Sequence, residues 1–224
     1  GVYCYFAAQN IGAIPSMLHV YSSQEDMKYY FKLEKTKIVI AIGMTKTCEN
    51  IGAAIKGTNI KVIIIPMDSS LSFRSLEAAK IKLGISLIKR LHKGKQFFKI
   101  TDYSRFQNIE VCCRKHKGQK LISAYNEIAT IVHTGGTTGR GKSVILTHEN
   151  ILSNDNAFEA TIQDFERGDT ILAIPPLFHV LGLNNCILLM LRAGGKVVLI
   201  PKYNKYKLSQ LCKKYHPEMI FGVP

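Results

Sequence analysis

The 224-residue sequence predicts an α/β fold, and three observations carry that prediction. Short apolar runs alternate along the chain with segments patterned for helix, the order that builds a mostly parallel sheet. The runs are apolar nearly throughout rather than at every second residue, as in strands covered on both faces. One of them, Ile128–Val132, leads straight into a loop rich in glycine and threonine, and open α/β sheets hold ligands at the carboxyl ends of their strands.

Taken in chain order, the first helix pattern is Ser23–Leu33, where Ser22 and Glu25 have the spacing of a capping box. Strands are predicted at Lys37–Ile42 and Lys61–Ile65. Leu76, Ala79, Leu83, Leu87 and Leu91 then form one helical stripe, with Lys82, Lys89 and Lys93 roughly opposite. A strand at Ile128–Thr134 precedes the loop. Val144, Ile145 and Leu146 read as a short strand after it, and Thr147 as the N-cap of a helix running towards Ala160. Strands follow at Thr170–Ile174, Val197–Ile200 and Met219–Val223. Between the last two, a helix at Lys205–Tyr215 puts Leu208, Leu211, Cys212 and Tyr215 on one face and is stopped by Pro217.

The net charge of +14 is unevenly spread: residues 80–120 hold twelve Lys or Arg against Asp102 and Glu110. Such a stretch can lie on an anionic membrane surface, steer anionic ligands, or form a solvated lysine-rich face. Nucleic acid is not an expected partner, because aromatic residues interleave with the basic ones only at Phe97, Phe98, Tyr103 and Phe106. No run approaches the roughly 18 apolar residues of a membrane span. The six cysteines lack Cys-x-x-Cys or metal-ligand spacing, and the vicinal pair Cys112-Cys113 reads as free thiols. A reduced, cytoplasmic setting is expected, with peripheral membrane contact as the variant.

Residues 133–150, His-Thr-Gly-Gly-Thr-Thr-Gly-Arg-Gly-Lys-Ser-Val-Ile-Leu-Thr-His-Glu-Asn, carry the chemistry. Glycine-freed backbone N–H groups, threonine hydroxyls and one ammonium are the groups that wrap a polyphosphate. Two motifs overlap here. Gly136 to Ser143 fits the Walker pattern Gly-x-x-x-x-Gly-Lys-Ser, whose helix should start at once after Lys142 with its amides on the phosphates. The apolar cluster after Ser143 argues against that. So does the lack of an acid closing the later strands, which end in Pro175 and Pro201, while Asp68 precedes the loop.

The second fit is longer. Thr134 to Asn150 resembles the phosphate-binding signature of the AMP-forming adenylating superfamily, which contains acyl-CoA synthetases, luciferases and peptide-synthetase adenylation domains. That signature reads Thr-Ser-Gly-Thr-Thr-Gly-x-Pro-Lys-Gly-Val-x-Leu-Thr-His-x-Asn. Gly135, Gly141 and Ser143 depart from it, replacing serine, proline and glycine. Without the proline, and with glycines at 135, 136, 139 and 141, the loop is expected to be freer than the family pattern. Residues 175–182, Pro-Pro-Leu-Phe-His-Val-Leu-Gly, resemble a second signature, Pro-x-Phe-His-x-x-Gly. Leu191-Arg192-Ala193-Gly194-Gly195 with Val197–Pro201, Phe221–Pro224 and Phe6–Ile14 are similar to further family elements in the same order. Residues 70–125 carry no such likeness.

The resemblance implies part of the large N-terminal domain of an adenylate-forming enzyme, two stacked sheet subdomains covered by helices. The first would span 1–160 and end with the loop and its following helix; the second would begin at 161. It also implies a longer protein, with later elements that hold adenine, ribose and a catalytic lysine. The implied activity is conversion of a carboxylic acid, fatty or aryl, to an acyl-adenylate and then a coenzyme A thioester, using ATP and Mg²⁺. Lys142, Thr137 and Thr138 would be catalytic. Thr134, Gly135, Gly136, Thr137, Thr138, Gly139, Arg140, Gly141 and Lys142 would bind nucleotide, with Thr137 or Thr138 at the metal. Phe178, His179 and Gly182 would meet the acid. His148 at a helix start reads as structural, and His133 is given no role. A P-loop NTPase, or a non-catalytic basic membrane-associated relative, are the competing readings.

Overall fold

The structure is a computed structural model that describes residues 1–65, 106–118, 122–135, 140–161, 165–200 and 204–222. The helix expected over Leu76–Leu91, most of the basic stretch 80–120, and Gly136, Thr137, Thr138 and Gly139 of the loop lie outside the described residues. Contacts group the chain into two compact units, one of Gly1–Leu18 with Leu121–Pro224 and one of His19–Lys120.

In the unit His19–Lys120, helix α2 (Gln24–Leu33) and helix α3 (Thr45–Ala54) pack together beside a parallel sheet. Its strands are β2 (Ile38–Ile42), β3 (Lys61–Ile65) and β4 (Phe106–Asn108), in the order β2-β3-β4. Helix α4 (Ile109–Lys115) follows, with Arg114 and Lys115 in its last turn. Among the described residues, Met27, Tyr30, Cys48, Ile51, Ala54, Ile55, Ile60 and Val62 form the buried apolar core of this unit. Two expectations are corrected. The helix cap is Ser23, whose Oγ accepts from the Asp26 N–H at 3.0 Å, not Ser22 with Glu25. Ser22 belongs to the preceding turn: its N–H bonds the His19 carbonyl and its own carbonyl accepts from Asn50. Strand β2 is also not covered on both faces, for Ile38, Ile40 and Ile42 stay exposed on alternate positions.

The other unit begins with α1 (Val2–Asn10) and the short strand β1 (Ser16–Met17). Strand β1 lies parallel to β5 (Ile128–His133), and β6 (Ser143–Thr147) lies antiparallel on its other side. A partly buried set of polar bonds fastens α1 and the segment after it to β5. The Gln9 amide donates to the Tyr5 hydroxyl at 3.0 Å and to the Ala129 carbonyl at 3.1 Å, and Thr130 Oγ1 donates to the Pro15 carbonyl at 2.8 Å. Burial pushes the Tyr5 phenol up to about 12, so it stays a neutral partner throughout. Helix α5 (His148–Glu159) starts directly after β6 with Thr147 as its cap.

A second sheet, β8-β7-β9, is parallel throughout: β7 (Thr170–Ala173) lies between β8 (Lys196–Leu199) and β9 (Met219–Phe221). Ile171, Leu172 and Ala173 are fully buried, as their unbroken apolar run predicts. Between β7 and β8 the chain forms an element that the apolar pattern did not announce. Leu181–Leu189 winds as a π-helix and continues into a single α-turn, α6 (Met190–Arg192). Gly194, at φ +78°, ends it: Gly194 N–H bonds Leu191 O and Gly195 N–H bonds Met190 O, a Schellman stop. Helix α7 (Lys205–Tyr215) connects β8 to β9. The sheet β1-β5-β6 lies wholly before residue 160 and the sheet β8-β7-β9 wholly after it.

A polar cluster joins α5 to the π-helix and α6. Asn184 donates to Asn154 Oδ1 at 2.7 Å, and Arg192 reaches Asn156, Glu159 and, at 3.7 Å, Asp155. Asp155 is 1% exposed, and among the described residues its Oδ1 meets no donor. Burial raises its pKa above the ordinary carboxylate value, against the smaller opposing pull of Arg192. The native state therefore keeps this proton at pH values where the unfolded chain has released it. Its stabilising effect is complete below the usual aspartate value and is lost as pH rises from that value through the raised native one. The variant Asp155→Asn, neutral at every pH, should lack this decline and gain on the parent as pH rises, in urea denaturation followed across a pH series. Parallel pH profiles of the two proteins would refute the assignment.

Candidate functional site

The glycine-threonine loop is the tip of a hairpin. Strand β5 runs out at His133, the chain turns through residues 134–142, and β6 returns beside it in the register Ile131↔Ile145, Val132↔Val144 and His133↔Ser143. The neck is closed by a reciprocal pair: Thr134 N–H donates to the Lys142 carbonyl, and Lys142 N–H to Thr134 Oγ1, both at 3.0 Å. Thr134 and Lys142, eight residues apart in sequence, are thus held together by the Lys142 backbone and the Thr134 backbone and hydroxyl, while the Lys142 side chain is left exposed. Arg140 is exposed, Gly141 half-buried, and a Cβ on Gly135 would meet nothing within 4 Å. Thr137 and Thr138, the proposed catalytic and metal-binding hydroxyls, lie outside the described residues together with Gly136 and Gly139.

This geometry removes the Walker reading. A P-loop lysine stands at a helix N-terminus, whose amides complete the phosphate cradle. Here the five residues of β6 separate Lys142 from α5, and at about 3.4 Å per residue they span about 17 Å. Lys142 thus does not stand at the N-terminus of α5. That terminus is capped locally instead: Thr147 Oγ1 accepts from Asn150 N–H at 3.1 Å, and Asn150 Oδ1 from Thr147 N–H at 3.0 Å. His148, the first helical residue, stacks on Tyr125 with ring centroids 6.0 Å apart, which fits its structural reading. His133 Nδ1 lies 3.1 Å from the Met17 carbonyl; since a carbonyl only accepts, that nitrogen carries the proton.

The second segment forms a tight turn after β7. His179 N–H donates to Pro176 O at 3.0 Å, and His179 Nδ1 accepts from Leu181 N–H at 3.2 Å. The neutral ring therefore bears its proton on Nε2. His179 is exposed and Phe178 half-buried. Gly182 opens the π-helix against the Pro175 and Pro176 carbonyls: a Cβ there would stand 2.7 Å from Pro175 O and closer still to Pro176 O. Only glycine lets these two backbones approach so nearly. Phe178 and His179 thus lie in the turn and Gly182 in the first turn of the π-helix, where it serves backbone contact.

Sequence reasoning missed Asp155, Asn184 and Arg192, which tie the helix after the hairpin to the helix after this turn, and the buried Asn185 beside them. A signal for two of them existed, since Asn184-Asn185 interrupts an apolar run, and buried amides need partners. One cavity of about 260 Å³ adjoins the cluster, lined by Glu159, Phe165, Leu189, Met190 and Ala193, and none of the residues expected at the site contributes to it. Among the described residues no group of three His, Cys, Asp or Glu can hold a metal ion, no helix is long and apolar enough to cross a membrane, and no cysteine is disulfide-bonded.

The profile of a family described as AMP-binding enzyme matches residues 2–224. The long-chain-fatty-acid–CoA ligase of Bacillus subtilis is 33% identical over 131 residues, covering 55% of this chain and 23% of that protein. The probable 4-coumarate–CoA ligase 1 of Dictyostelium discoideum is 36% identical over 105 residues, covering 46% and 19%. The chain thus spans about a fifth of the length of these curated relatives. Among solved structures, the anthranilate CoA ligase AuaEII in complex with anthranoyl-AMP superimposes with a TM-score of 0.72 at 15% identity, over 99% of this chain and 37% of that one. A luciferase-like enzyme from the mealworm Zophobas morio gives 0.65 at 16%, over 98% and 44%. The shared fold is that of N-terminal domains of adenylate-forming enzymes.

The close approach at Gly182 yields a direct test. Gly182→Ala should destabilise the protein by roughly 1–3 kcal/mol, the cost of overpacking a fitted contact. Chemical denaturation measures it, and an unchanged midpoint would mean that the π-helix does not rest on the proline carbonyls.

Proposed function

The chain belongs to the AMP-binding enzyme family, and on that premise we propose that it is the phosphate-binding and acyl-binding part of an ATP-dependent acid–CoA ligase. The acid is a carboxylic acid with an apolar body, fatty in the first instance and aryl in the second, in keeping with the relatives named above. A carboxylate oxygen attacks the α-phosphorus of ATP, the bond to the β-phosphate oxygen breaks, and pyrophosphate leaves from the acyl-adenylate. The thiol of coenzyme A, giving up its proton, then attacks the acyl carbon, and AMP departs as the thioester forms.

The hairpin neck is the observation that carries this reading. Thr134 and Lys142 fix both ends of a loop whose amides, hydroxyls and ammonium suit the β- and γ-phosphates. Such catalysis is positioning plus charge stabilisation, so a cation held on a rigid stem is worth more than one on a free loop. The donor set fits magnesium: hydroxyl oxygens are hard ligands, and this ion takes few protein ligands beside phosphate oxygens. Thr137 or Thr138 would hold it, and when bound it neutralises charge on the phosphate oxygens. Phe178 and His179 would wall the acid site, Gly182 setting their turn. The basic stretch 80–120 would meet an anionic membrane surface, where fatty acids partition. A subdomain boundary near residue 160 belongs to the same proposal.

Lys142→Ala in the full-length gene product tests the loop. Its neck bonds come from the Lys142 backbone, so the hairpin should persist. Acid-dependent ATP–pyrophosphate exchange should fall on the order of a hundredfold or more, as when one charge-stabilising group is removed. Unchanged exchange would remove Lys142 from the mechanism. A parent protein without any acid-dependent exchange would favour the non-catalytic relative.

A further inference from the structure

A second cation-bearing feature lies in the unit His19–Lys120 and is built from none of the loop's residues. The far half of α2, the turn after it and the start of β2 enclose a cavity of about 380 Å³ together with the segment before β3. Lys28, Lys32, Lys35 and Lys37 line it over an apolar base that includes Phe31 and Ile60. Among the described residues no carboxylate lines it. Glu25 and Asp26, the acids of α2, sit in its first turn, at the other end of the helix. Among the described residues these four ammoniums enter no ion pair or side-chain hydrogen bond.

The helical period explains three of the four. Lys28, Phe31, Lys32 and Lys35 stand at i, i+3, i+4 and i+7, so they share one face of α2 and its cap. Lys35 occupies an unusual position. It follows the C-cap Glu34 with φ +50°, while Lys35 N–H bonds Lys32 O and Thr36 N–H bonds Phe31 O. That is the Schellman position where glycine is the usual residue because a Cβ is disfavoured there. The chain keeps a lysine at a site where glycine would be conformationally easier, and that lysine lines the cavity. Backbone outliers of this kind are a signature of functional sites.

Four clustered cations repel one another and are relieved by an anion; an apolar base is relieved by an apolar body. The volume lies within the range of small-molecule pockets. We propose that this cavity binds an amphipathic organic anion, a single carboxylate or phosphate head group on a compact apolar body. The proposal is independent of the adenylating reading.

A diazirine-bearing decanoate, photolysed on the full-length gene product and mapped by mass spectrometry, tests it. Labelling is expected within residues 28–37 and 54–60, displaced by decanoate or decyl phosphate, whichever head group the site prefers, and not by decanol. Lys32→Gln/Lys37→Gln should reduce labelling there about tenfold, equivalent to roughly 1.4 kcal/mol of binding, with ATP–pyrophosphate exchange unchanged. Lys35→Gly should also reduce it while holding or raising the denaturation midpoint, a combination that a structural role for Lys35 does not produce. Absence of label from these residues, equal displacement by decanol, or labelling indifferent to the lysine substitutions would each overturn the proposal.

Discussion

The return of β6 along β5 in the antiparallel sense is the constraint on which the rest of the proposed site depends. It gives the glycine-rich stretch two fixed ends and sets the register that brings Thr134 to Lys142. It also decides where α5 can begin. The stem is held by packing: Tyr5, Val132 and Leu183 form a buried cluster, with Met17, Val144, Leu146 and Leu188 packed against it. Those residues come from α1, β1, β5, β6 and the π-helix. A slip of one residue between β5 and β6 would turn Val144 and Leu146 away from this cluster, so the core itself enforces the register.

The second constraint is polar. Burying Asp155, Asn184 and Asn185 is costly unless each finds partners. Asn184 bonds Asn154 on α5, Asp155 meets Arg192 on α6, and Arg192 in turn bonds Asn156 and Glu159 on α5. Apolar contacts would hold these helices together at many relative positions, whereas directional bonds select few. The cluster therefore fixes the helix that follows the hairpin against the helix that follows the Phe178–His179 turn. An element carrying no expected site residue thus aligns the two that do.

At 15% identity the chain keeps the fold of AuaEII with a TM-score of 0.72. Most of its constraints can be met by many side chains, since cores need volume and pattern more than particular residues. The positions with little latitude are those where backbone meets backbone or a special φ is required. Gly182 against the proline carbonyls and Gly194 at the helix stop are two of these. Both fall in segments where the family likeness was visible in the sequence.

The sequence by itself determined most of the strand positions, though not β1 or β4, Thr147 as a cap and the adenylating family, because periodicity, turn residues and contiguous motifs are local properties. It misplaced the α2 cap by one residue, since Ser22 and Ser23 are equivalent until Asn50 takes the Ser22 carbonyl. It marked Val144–Leu146 as a strand but could not give its direction, and it gave no sign of the π-helix or of Asp155 as a buried acid. Tertiary structure decided those, and with them the choice between a Walker loop and a hairpin tip. Each depends on contacts between residues far apart in the chain, which no window of sequence contains.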